Sequence, residues 1–96
     1  MDIQKKLDGN KLSVTVTGHI DTVTAPQLEA ELALDAVNEL EFDISGVPYV
    51  SSAGLRVFLT AYKEMAKKGG MTITGAQPAV KEVFNITGFA SIFKLA

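Results

Sequence analysis

The chain predicts an α/β fold in which a mixed sheet carries its helices on one face. Three segments, Leu12-Ser-Val-Thr-Val-Thr17, Leu40-Glu-Phe-Asp-Ile44 and Met71-Thr-Ile-Thr74, alternate apolar and polar residues with period two, as a strand with one buried face does. Helical patterns separate them, so the connections are strand-helix-strand units, whose strands pair in parallel through right-handed crossovers. A sheet covered on both faces would have near-continuous apolar strands, so the polar alternates place the helices on a single side in a two-layer architecture.

The opening strand runs from about Ile3 to Leu7 and pairs antiparallel with the segment from Leu12 through the turn Asp8-Gly9-Asn10, a strong hairpin signal. Thr24-Ala-Pro-Gln27 then combines a capping threonine, a proline in the first turn and a glutamine three residues after the cap, and Leu28 and Leu32 continue at helical spacing. The strand Leu40 to Ile44 leads to a second helix with Leu55, Phe58, Leu59, Tyr62, Met65 and Ala66 on one stripe. Arg56, Lys63, Glu64 and Lys67 lie opposite, and Gly69 ends the helix. After the strand from Met71, a third helix begins near Pro78, buries Val80, Val83 and Phe84, and stops at Gly88. Ser91-Ile-Phe-Lys-Leu95 is expected as a last short strand. The result is one domain over residues 1–96 with a mixed four- to five-stranded sheet.

Composition narrows the function classes. With 96 residues, 47% of them hydrophobic and 21% charged, and a net charge of −2, the chain has the makings of one compact core. A nucleic-acid binder calls for a basic stripe, whereas the only local positive group is Lys63, Lys67 and Lys68, read as solvated charges near a helix end. No nucleic-acid partner is expected. The absence of cysteine removes disulfides, thiolate nucleophiles and cysteine metal sites. His19 is the sole histidine and has no companion ligands nearby in sequence, so it reads as a partly exposed loop or strand-end residue, and no metal or cofactor is assigned. No stretch approaches the roughly 20 apolar residues of a membrane span, and the amino terminus has no apolar run after its charges, so a cytoplasmic chain without membrane insertion is expected.

The functional signal is concentrated in Asp43-Ile-Ser-Gly-Val-Pro-Tyr-Val-Ser-Ser-Ala-Gly-Leu-Arg56, which passes from a strand through a tight loop into a helix opened by two serines. A helix start exposes unpaired N–H groups and a partial positive charge, so a phosphate on Ser51 or Ser52 is well placed there. The simplest reading is that one of these serines caps the helix, which is worth about 1 kcal/mol. The sharper reading makes one of them a phosphoacceptor, since a phosphate adds about −1.5 to −2 charge and changes what a partner meets. The two are compatible. Gly54 is locally unfavourable in a first helical turn; its lack of a side chain suits either the approach of another backbone or close packing within the domain. A catalytic serine needs a nearby base and, in hydrolase elbows, G-x-S-x-G; Ser-Ser-Ala-Gly is not that motif, and no enzyme activity is expected. Nor does Gly-Val-Pro have the spaced glycines and lysine of a nucleotide loop.

Asp-Ile-Ser-Gly-Val followed by Tyr-Val-Ser-Ser-Ala-Gly-Leu-Arg resembles the signature of STAS domains, specifically bacterial anti-sigma factor antagonists, also called anti-anti-sigma factors. Val16-Thr-Gly18-His-Ile-Asp21 and the helix after it are similar to the family's Gly-x-Leu-Asp strand end, and Lys68-Gly-Gly-Met-Thr-Ile to its helix-to-strand turn. The resemblance spans nearly the whole chain and implies a STAS-like fold. It also implies a phosphoswitch, in which the unmodified protein binds an anti-sigma factor and so releases a sigma factor. The anti-sigma factor's serine kinase activity then ends that interaction by phosphorylating Ser52, and a metal-dependent serine phosphatase resets it.

Carried over residue by residue, the acceptor is Ser52, immediately before Ala53-Gly54-Leu55. The alternate is Ser51, which stands where the family often has aspartate. The implied docking surface comprises Asp21, Asp43, Ser51, Ser52, Ala53, Gly54, Leu55 and Arg56, with the two aspartates near the acceptor and performing no chemistry. The rival implication is a constitutive STAS partner-binding subunit of a lipid-transport ATPase, with Ser52 as a helix cap only. Many members continue into a carboxy-terminal helix that this chain, ending at Ala96, is expected to lack or keep very short. The polar alternates Ser13, Thr15, Thr17, Glu39, Glu41, Thr72 and Thr74 point to a monomer in isolation.

Overall fold

The period-two segments become strands whose apolar residues all turn to one side. A computed structural model describes residues Met1–Ala96. Its elements are β1 (Asp2–Asp8), β2 (Lys11–Thr17), α1 (Ala25–Ala30), β3 (Glu39–Gly46), α2 (Ser52–Met65), β4 (Met71–Thr74), α3 (Pro78–Thr87), a 3₁₀ turn (Phe89–Ser91) and β5 (Lys94–Leu95). The five strands lie in the order β1-β2-β3-β4-β5; β1 and β2 are antiparallel and the remaining pairs parallel. The hairpin closes with Asp8 opposite Lys11, leaving a two-residue turn in which Gly9 takes φ +62°, open to glycine at little steric cost.

Register sorts the two faces. Leu12, Leu40 and Met71 lie abreast, as do Val14, Phe42 and Ile73, and all are buried. The intervening rows, Ser13-Glu41-Thr72-Lys94 and Thr15-Asp43-Thr74, form the opposite, polar face. Helices cover only the apolar side. Phe58 of α2 meets Phe42 of β3 edge-on at 5.0 Å and Phe84 of α3 at 6.3 Å, and Phe93 packs against both Phe58 and Phe84. These rings sit in a single cluster of 23 buried hydrophobic residues. No helix is long and apolar enough to cross a membrane.

Four local expectations are revised. Thr24 stands at the N-cap of α1, but its side chain makes no capping bond to the helix. Its hydroxyl turns back instead to accept from Asp21 N–H at 2.9 Å, while the Asp21 carboxylate accepts from the backbone N–H groups of Val23 and Thr24, at 2.9 and 3.0 Å, and closes the turn that leads into the helix. On α2 the buried face includes Val57 and Ala61, while Ala66 is exposed and Leu59 and Tyr62 are half-buried. The stripe is thus rotated towards α1, the helix packed against it. The expected strand Ser91–Leu95 shortens to Lys94–Leu95 because Ser91, Ile92 and Phe93 donate back to Gly88 and Phe89. Lys68 is not simply solvated, since its Nζ donates to the Leu34 carbonyl at 2.6 Å and ties the α1–β3 connection to the end of α2.

Candidate functional site

Two loops at the carboxyl end of the parallel strands build the site. Beyond β2 and β3 the chain continues their pairing: Gly18 N–H donates to the Gly46 carbonyl at 3.0 Å and Ile20 N–H to Tyr49 at 3.0 Å. Ser51 N–H then donates to Ile20 at 2.8 Å, and Ile20 and Val50 form an isolated parallel bridge. This ladder carries the Asp21 turn alongside the start of α2. Ile20 and Val50 point inward, and Gly54 lies directly against them: a Cβ at Gly54 would stand 2.6 Å from Ile20 Cγ2 and 2.9 Å from Val50 Cγ1. Close packing within the domain therefore accounts for this glycine.

The two serines are distinct. Ser51 is the N-cap of α2, half-buried, and its Oγ accepts from Gly54 N–H at 3.3 Å. Ser52, the first helical residue, is exposed and is free of that capping bond. A transferred group would reach Ser52 without disturbing the cap. Ser52 also borders a shallow groove of about 290 Å³ with Leu55, Arg56, Leu59, Thr87 and Phe89, in which the start of α2 faces the end of α3.

The remaining expected site residues separate into surface and support. Arg56 is exposed and Ala53 half-buried at the surface, whereas Gly54 and Leu55 are buried. Leu55, though buried, still borders the groove beside Ser52, while Gly54 packs inward against Ile20 and Val50. Asp21 is half-buried beside the serine loop. Its carboxyl is held below the usual carboxylate range, chiefly by the Thr24 N–H, with smaller contributions from Val23 N–H, the Thr24 hydroxyl and the His19 charge, against a raising effect of desolvation. Asp43 is not beside the acceptor. It lies on the polar face of the sheet, away from the helix that carries Ser52, and its Oδ1 accepts from Ser45 N–H at 3.0 Å, which lowers its pKa as well. It secures the end of β3.

Sequence reasoning passed over the apolar residues around this end of the sheet. Val23 in the Asp21 turn is 75% exposed and Tyr49 in the serine loop is 51% exposed, two of only five large hydrophobic residues left open to solvent. Tyr49 also meets exposed His19 edge-on at 6.3 Å across the paired loops. An apolar residue inside an otherwise polar loop was the available signal. No group of three or more histidine, aspartate or glutamate side chains is placed to hold a metal ion. What the arrangement offers chemically is an exposed hydroxyl on a partly apolar surface.

Comparison with known proteins agrees with this architecture. The family model described as STAS domain matches residues 2–96. A Bordetella bronchiseptica protein described as anti-sigma factor antagonist BtrV is 39% identical over 95 residues, covering 95% of this chain and 81% of the relative. An anti-sigma-B factor antagonist of Listeria monocytogenes is 30% identical over 95 residues, covering 95% and 83%. Among solved structures, that of an anti-sigma factor antagonist from Mycobacterium paratuberculosis superposes with a TM-score of 0.86 at 29% identity, covering 98% of this chain and 83% of that one.

Proposed function

Because the chain belongs to the STAS domain family, we propose that it is an anti-sigma factor antagonist whose binding face is the serine-loop end of the sheet and whose switch is Ser52. The unmodified face docks on an anti-sigma factor and frees a sigma factor. The observation that carries the reading is the division of labour between the serines: Ser51 holds the helix cap while Ser52 is exposed, at the same end of the sheet as the loops that carry exposed Tyr49 and Val23. Apolar side chains of this kind give a partner contact area, and an adjacent hydroxyl is a control point that does not disturb the fold.

The switch is a group transfer by the partner's serine kinase activity. The Ser52 Oγ attacks the γ-phosphorus of ATP, the bond to the β-phosphate bridging oxygen breaks, the hydroxyl proton is lost and ADP leaves. A metal-dependent serine phosphatase reverses the state with water, returning the hydroxyl and releasing inorganic phosphate. The chain itself is a regulator rather than an enzyme, acting as a monomer in the cytoplasm. A phosphate at this position brings charge, bulk and a desolvation cost to a close interface, and a coupling of about 3 kcal/mol corresponds to roughly a 100-fold loss of affinity.

The test is recovery of partners from the native host with wild type, Ser52→Ala and Ser52→Asp as baits, with phosphate mapping of the native protein. Loss of an ATPase-type anti-sigma partner with Ser52→Asp alone, and phosphate found on Ser52, is the expected result. Equal recovery of one partner by all three baits sinks the switch.

A further inference from the structure

We infer that Arg56 is the intramolecular partner of a phosphoryl group on Ser52, so that modification both adds a dianion to the binding face and withdraws a cation from it. Residues four apart on a helix are surface neighbours, about 5–6 Å between their Cβ atoms. Ser52 and Arg56 hold those positions on α2, both are exposed, and both border the shallow groove between α2 and the end of α3. Arg56 joins neither of the two ion pairs of the chain, Lys5–Glu31 and Lys11–Glu41. The only carboxylate bordering a groove with it is Glu29 of α1, with which it makes no ion pair. On the other side, α3 and the 3₁₀ turn contribute Thr87 and Phe89, neither of them charged.

A guanidinium presents a planar fork of donors that matches phosphate oxygens in a two-point contact, a geometry the ammonium of lysine does not reproduce. In the unmodified protein this fork faces solvent and is open to a partner's carboxylates. Once Ser52 carries a phosphate, the nearest anion is one helical turn away on the same chain, and the fork turns to it. Affinity for an acidic partner surface then falls for two reasons instead of one.

The inference rests on Ser52 being the modified residue, and its test is chosen to stand apart from that reading. Phosphoserine is installed at position 52 by codon suppression, so no kinase is needed, and its second ionisation is followed by ³¹P NMR in the otherwise native chain, in Arg56→Gln, in Arg56→Lys and in Lys63→Gln. The unperturbed second pKa is about 6, and loss of Arg56 is expected to raise the midpoint by a few tenths of a pH unit, roughly 0.2–0.4. Arg56→Lys is expected to recover part of that change, and Lys63→Gln, which removes a cation elsewhere on α2, to leave the midpoint unmoved. Equal midpoints in the native and Arg56→Gln backgrounds overturn the contact, as does an equal rise in Lys63→Gln, which would show a diffuse field. Phosphate mapping of the protein from its host, by contrast, bears only on whether Ser52 is the acceptor.

Discussion

Gly54 and Ile20 are in such close approach that one added methyl group on the glycine would stand 2.6 Å from the isoleucine Cγ2. The contact joins α2 to the loop after β2, and both residues are buried, so the clash has no free side-chain end to relieve it. Gly54→Ala is therefore expected to destabilise the domain by up to about 2 kcal/mol, the overpacking cost of about 1–3 kcal/mol less the gain in helix propensity of about 1 kcal/mol. Urea denaturation checks this. An unchanged or higher midpoint would mean that the loop yields freely.

The serines should separate by stability. Ser51→Ala removes the acceptor for Gly54 N–H and is expected to cost about 0.5–1 kcal/mol, near the lower end for a cap because the bond is 3.3 Å long. Ser52→Ala, at an exposed position without that bond, should lie within about 0.5 kcal/mol of wild type. Paired denaturation curves measure both. If Ser52→Ala is the more damaging, the cap has been assigned to the wrong hydroxyl.

Phe58 is the hub of the core, with Phe42 at 5.0 Å and both Phe84 and Phe93 at 6.3 Å. Phe58→Ala leaves a cavity among rings from β3, α3 and the chain's last turn, at a cost of about 3–5 kcal/mol against a total of about 5–15. Calorimetry should show a large fall in Tm or no cooperative transition at all. A loss below about 2 kcal/mol would mean that the neighbouring rings collapse into the space.

Acid should weaken the fold through two aspartates, Asp21 in the loop after β2 and Asp43 near the end of β3. Asp21 and Asp43 have lowered pKa values because backbone N–H groups, of Thr24 and Ser45 first, bind their charged forms. A carboxylate lowered on folding stabilises above its unfolded value, near pH 4, and that contribution disappears as pH falls through the lower folded value. Asp21→Asn should therefore be less stable than wild type at neutral pH and approach it as pH falls from about 4 towards 2. Denaturant titrations across that range test the sign: a constant gap between the two curves rules out the charge as the cause.

Legibility in the sequence followed the range of the interaction concerned. The three alternating strands could be read because burial of a strand face is written residue by residue, and β4 lies at Met71–Thr74 as expected. The rotation of α2 could not, since Ala61 carries little hydrophobic signal and is buried only because α1 lies against that flank. Thr24 matched a capping pattern, but its hydroxyl is taken up by Asp21 N–H and the His19 carbonyl in the preceding turn, partners outside the pattern. Within the site, the serine pair was evident from motif and helix start alone. Which serine caps depended on where the loop enters the helix, whereas the place of Asp43 on the polar face was already implied by the period-two pattern of Leu40–Ile44 and conflicts only with what the resemblance implied.

The strand order has a consequence for how the molecule is made. Every strand's sheet neighbour is also its neighbour along the chain, from β1 through β5. A polypeptide growing from its amino terminus can thus close the hairpin first and add each later strand to an edge already in place, without waiting for a distant segment. Loop-closure entropy is met in short instalments, which favours rapid folding for a sheet that is largely parallel. The two-residue β5 docks last, so a chain that has emerged only as far as Ile92 would have four strands paired and the aromatic core still open.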